Sequence, residues 1–175
     1  MAQTISHPSA PPAGTRRVAY AVVLAAIGVA LAPFTSFPIG IAKVNPTQHF
    51  VNVLAAVILG PWWATLVALV VAILRNALGV GTLLAFPGGM IGAFLAGLAY
   101  RATRSPYGAA AGEIVGTGVL APLAGAALVA PVFMGRSIGF MALLPSFLAS
   151  TVVGAVLGVL ALRLLRRTDI LPNGD

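Results

Sequence analysis

Four polar residues, Asn45, Gln48, His49 and Asn52, stand at the head of a long apolar run, and Arg75, Asn76 and Thr82 follow the end of the next one. Asn45 and His49 are four apart, as are Gln48 and Asn52, so a helix here turns a polar face one to two turns deep. Amides, an imidazole and a guanidinium together can donate to and accept from a small polar solute. Leaving such groups in hydrocarbon is expensive, so they must face protein, water or a ligand. His49 alone reads as a satisfied interface histidine, and Arg75 alone as a cation snorkelling to headgroups. Their co-location is what argues for a solute pocket.

Glu113 is the one acid inside an apolar span, and Thr117 follows one turn later on the same face. Its bland reading is an ion pair with Arg101 or Arg104 across a short turn. Its functional readings are substrate binding and proton carriage. An intramembrane enzyme using His49 or Glu113 is disfavoured, because paired catalytic groups are few and the two residues are expected near opposite faces of the membrane. A purely structural scaffold is disfavoured by the buried polar cluster. One usable histidine without a neighbouring carboxylate falls short of a metal site, and no cysteine occurs, so neither metal nor cofactor is expected.

The elements that must position these residues follow from composition. Apolar residues make up 59% of the 175, mean hydropathy is +1.03, and only 7% are charged, against about 25% in soluble domains. Lipid is the expected solvent. At about 20 residues per span, the length has room for six helices and short connections. The net charge of +7 reads as a topology signal rather than nucleic-acid binding.

Residues 1–17 read as a flexible tail containing His7, residues 18–167 as the membrane domain, and residues 168–175 as a short C-terminal tail. Arg16-Arg17 followed by an apolar run and Ala30-Leu31-Ala32 imitates a secretory signal, but the run is long for a signal core and its small residues fall at helical spacing. The helices are expected at roughly 18–33, 47–59, 61–76, 84–102, 108–133 and 142–166. Gly60-Pro61 splits what would otherwise be one long helix. The split yields an all-α six-helix bundle with both termini cytoplasmic, and gathers Arg16, Arg17, Arg101, Arg104, Arg163, Arg166 and Arg167 on the inner side. Lys43, Arg75 and Arg136 remain outside and ask for another explanation. Pro87 fits the first turn of the fourth helix, and Pro122 is expected to kink the fifth. The loop FTSFPIGIAKVNPTQ is apolar for a solvated segment and reads as a lid.

Small residues recur at steps of about four: Ala21, Ala25, Gly28 and Ala32 in the first helix, Gly89, Ala93 and Gly97 in the fourth, Ser150, Gly154 and Gly158 in the sixth. Such faces let backbones approach closely. Internal packing suffices for the later two, while the first is also a candidate docking surface for another membrane protein.

The segments PIGIAKVNPTQHFVNVL, LGPWW and RNALGVGTLLAFPG resemble the ThiW family, substrate-capture subunits of energy-coupling factor (ECF) vitamin transporters assigned to the thiazole precursor of thiamin. The resemblance runs from about residue 18 to residue 166. It implies a six-helix bundle in the cell membrane, a solute held near the outer face under the first loop, and association with a membrane coupling subunit driven by two ATPases. The implied docking residues are Ala21 and Ala25, with Ala26 and Ala30 a second pair. No Walker motif is present, so ATP hydrolysis belongs to a partner. Hydroxyethylthiazole, the implied solute, offers a ring nitrogen, a hydroxyl and a flat face for Phe34, Phe37 or Phe86, while a phosphorylated form would make better use of Arg75.

Overall fold

The computed structural model describes residues 13–39 and 42–167. Its long helices are α1 (Ala13–Ala30), α3 (Pro46–Leu59), α4 (Pro61–Ala77), α5 (Ala85–Thr103), α6 (Pro106–Phe133) and α7 (Phe140–Arg167). A single turn, α2 (Ala32–Thr35), follows α1 and leads into an antiparallel hairpin of β1 (Phe37–Ile39) and β2 (Ala42–Val44). Helix α1 begins at Ala13, so residues 13–17, expected in the tail, are helical. Alanine and arginine are good helix formers, and they carry the helix ahead of its apolar part. The rest of the expected tails, with His7, lies outside the described residues.

The break at Gly60-Pro61 is sharp. Gly60 sits at φ +84° between α3 and α4, a conformation glycine adopts without a Cβ penalty, and Pro61 opens α4 where its missing N–H costs nothing. Pro87 lies in the first turn of α5, where the same reasoning applies. Around Pro122 the structure uses two wide π-helical turns, Gly116–Leu120 and Gly125–Val129, one on each side. A proline ring crowds the carbonyl one turn back and removes a donor, and widened turns absorb both effects within a continuous helix.

Helix α3 is central. It touches α1, α4, α5, α6 and α7, and most of its residues are buried. Close approach depends on missing side chains. A Cβ at Gly97 would collide with the Pro61 backbone, one at Gly154 with the Pro46 carbonyl and His49, and one at Gly158 with Val53. The small faces of α5 and α7 are therefore spent on internal packing. So is that of α1: Gly28 lies against Val71 and Val51, Ala32 is fully buried, and Ala21 and Ala25 pack on the core, whereas Ala26 and Ala30 are exposed.

Arg101 lies beside Gly60, Arg163 stacks 4.9 Å from the Tyr107 ring centroid, and Arg166 reaches the Tyr100 hydroxyl at 3.4 Å. These contacts bring the α3–α4 turn, the α5–α6 turn and the end of α7 to one end of the bundle. The hairpin lies at the other. Helices α6 and α7 are each long and apolar enough to cross a membrane, and α3 and α4 are shorter apolar helices. At 1.5 Å per residue α3 is only about 21 Å long, so its N-terminus starts below the end of its longer neighbours. The hairpin fills the space above it.

Candidate functional site

Helix α3 begins with its orphan N–H groups at depth, and these need acceptors. Asn45 supplies one: its Oδ1 accepts from the Gln48 N–H at 2.9 Å. The same residue ties the cap to its surroundings. Its backbone N–H donates to Ser150 Oγ of α7 at 2.9 Å, and its Nδ2 to Ser36 Oγ at 2.6 Å. Ser146 of α7 donates to the Ile39 carbonyl at 2.7 Å, so two serines one turn apart clasp the hairpin on both sides of its turn. Thr47 Oγ1, 2.9 Å from Thr35 Oγ1, adds a link to the end of α2.

Beneath the hairpin is a cavity of about 40 Å³ lined by Lys43, Asn45, Gln48, His49, Arg75, Thr82, Leu84, Ala85, Gly88, Gly89, Ser146, Phe147 and Ser150. It is room for a few water-sized spheres. Helices α3, α4, α5 and α7 each contribute to its wall, as do β2 and the α4–α5 loop. In this wall Gly89 lies against Gln48 and Ala68.

Arg75 does not snorkel outward. It is 3% exposed, with Nη1 donating to Gln48 Oε1 and Nη2 to Ser36 Oγ, both at 3.4 Å, and Nε unpartnered. Both bonds are longer than the usual N–H···O range. Gln48 Nε2 in turn donates to Asn52 Oδ1 at 3.1 Å, and Asn52 Nδ2 to Glu113 Oε1 and the Gly89 carbonyl, each at 3.1 Å. A continuous hydrogen-bonded chain therefore runs from the cavity into the centre of the bundle.

Its inner end corrects two expectations. Glu113 pairs with neither Arg101 nor Arg104, both of which are exposed. Its Oε1 lies 2.8 Å from His49 Nδ1, and it is fully buried, so the two residues expected near opposite faces are partners. Depth explains the error. His49 is about 15 Å from the C-terminal end of α3 and Glu113 about 10 Å from the N-terminal end of α6, and those two ends lie together, which leaves little separation. The Thr117 hydroxyl stands 2.8 Å from Glu113 Oε1 and 2.7 Å from the Gly88 carbonyl. A side chain at Gly92 would collide with Thr117 Oγ1 and Glu113 Oε2.

Of the residues singled out from sequence, Asn45, Gln48, His49, Arg75 and Thr82 line the cavity. Asn52, Glu113 and Thr117 form the layer beneath. Asn76 donates to the Ala72 and Thr82 carbonyls and shapes the α4–α5 loop. Phe34, Phe37 and Phe86, the candidates to stack on the solute, do not line the cavity, the first two being 85% and 48% exposed; the hairpin directs Lys43 there instead, and Phe147 supplies the aromatic wall. Sequence reading missed Ser36, Lys43 and Ser146 as site residues, and it read Ser150 only as a small packing residue. The four-residue spacing of Ser146 and Ser150 in an apolar helix was the available signal.

Comparison with curated proteins finds no match. The solved structure described as the S component of a bacterial ECF transporter aligns with a TM-score of 0.73 at 20% identity, covering 89% of this chain and 98% of that one, which shows a shared fold. The sequence model of ThiW, described as thiamine-precursor transporter protein, matches residues 18–168. With most of its length matched, the chain belongs to the ThiW family, and it is a transport protein rather than an enzyme.

Proposed function

We propose that this chain is the substrate-capture subunit of an ECF-type importer for a thiamin precursor, with hydroxyethylthiazole or an anionic derivative of it as the solute. The observation that carries the reading is the cavity beside the hairpin, polar on several sides and partly covered by strands clasped to α7. The unpartnered Arg75 Nε and its two long bonds, beside open space, leave hydrogen-bonding capacity that a solute can use. In this reading the long helices cross the cell membrane six times, with the arginine-rich end cytoplasmic and the hairpin acting as the outer lid.

Energy comes from a partner. A membrane coupling subunit with two ATPases would dock on α1, where the inward face is occupied and Ala26 and Ala30 are presented beside the exposed Val22 and Val23.

Calorimetric titration of the detergent-solubilised protein with hydroxyethylthiazole, and with thiamin as comparator, tests the reading. Thiazole-selective binding that falls about tenfold or more in His49→Ala is expected, the loss of one buried polar contact. Equal binding of thiamin, or no binding of any thiazole by folded protein, would sink the assignment.

A further inference from the structure

The cavity wall carries two cations, Arg75 and Lys43, and no acid. Among the described residues the one carboxylate is Glu113, which lies in the layer below with its Oε1 engaged by His49, Asn52 and Thr117. Arg75 thus has no counter-ion. Its guanidinium can donate five hydrogen bonds, but it makes two long ones, and its Nε has no partner although the residue is 97% buried. A buried charge without an opposite charge is costly, and proteins keep one where something else supplies the pairing. Lys43 stands on β2, paired in register with Pro38, and reaches the same space from above.

Resting on the capture reading, we propose that the solute carries an anionic oxygen group, a carboxylate or a phosphate monoester, which Arg75 holds from the side and Lys43 covers from the hairpin. A planar guanidinium with a free Nε and a flanking Nη matches two oxygens of one such group. The remaining wall divides the labour. Gln48, Ser146, Ser150 and His49 offer neutral hydrogen bonds to a polar ring, and Phe147 and Leu84 give it an apolar side. The lysine on the hairpin also couples binding to closure, because the anion is fully paired only with the hairpin down.

The test compares three ligands on the purified full chain by calorimetry: hydroxyethylthiazole, its phosphate monoester, and the thiazole bearing an acetate in place of the hydroxyethyl group. One anion should bind at least about tenfold tighter than the alcohol, as charge-assisted hydrogen bonds are stronger than neutral ones. Arg75→Gln should abolish that advantage. Because Arg75 is buried and its replacement can impair folding, Lys43→Gln, at an exposed position, is the second variant: it should weaken the preferred anion several-fold and the alcohol by clearly less. Which anion is preferred separates phosphate from carboxylate. Should the alcohol bind as tightly as both anions, the inference is overturned while the capture reading stands; binding of none of the three overturns both.

Discussion

Around the α3–α4 turn the buried side chains are apolar, with Ala55, Ala56, Ala64, Ala96 and Ala109 beside Leu59 and Leu162 and with Gly97 against Pro61, whereas around the hairpin they include Asn45, Gln48, His49, Arg75, Ser146 and Ser150. One end is closed by bringing backbones together over small and aliphatic side chains. The other is held apart by side chains that need partners. Apolar contact in lipid favours approach through shape alone, so the first end is specified by what is missing from its residues. Polar groups in lipid are specified by directional bonds, and where those are long or absent they define a place for something else.

Substitutions at three positions test that contrast, in descending order of effect. Gly97→Val should be the most damaging, destabilising by about 3 kcal/mol or preventing a folded bundle, because the backbone of Pro61 cannot move out of the way. Thermal unfolding in detergent reads it, and wild-type stability would show that the α4–α5 contact is looser than described. Glu113→Ala should lower stability by about 1–3 kcal/mol, since His49, Asn52 and Thr117 lose a shared acceptor. Glu113→Gln, retaining a carbonyl oxygen, should recover part of that loss; if Gln is no better than Ala, the negative charge rather than the acceptor is what the cluster needs. Asn45→Ala should cost least, about 1 kcal/mol for the lost cap. Its clearer signature should be kinetic: solute dissociation several-fold faster in stopped-flow, because the hairpin loses its tie at Ser36. An unchanged rate would remove the hairpin from the release step.

Much of the end that holds the α3–α4 turn was legible in the sequence. Glycine and proline mark the α3–α4 break through backbone chemistry that needs no tertiary context, and small residues at steps of four announce close contacts whichever helix supplies the partner. The polar end was legible as a collection but not as an arrangement. Spacing put Gln48 and Asn52 together because they share a helix, yet His49 and Glu113 are 64 residues apart on helices whose relative depth depends on how far α3 falls short of its neighbours. The hairpin was legible as a lid-like loop from its apolar content, but its register, which aims Lys43 rather than Phe37 at the cavity, depends on pairing that single-sequence patterns do not encode.

Gly92 has a consequence for how this sequence can vary. Its missing Cβ is the space occupied by the Thr117 hydroxyl and the Glu113 carboxylate, with Gly116 pressed against the Gly92 backbone from α6. Alanine at position 92 is therefore incompatible with Thr117 and Glu113 as they stand, whatever happens at the cavity wall. Positions 92, 113 and 117 are bound to change as a set: a relative that carries a side chain at the first should carry smaller ones at the other two, and with them a different support beneath the histidine.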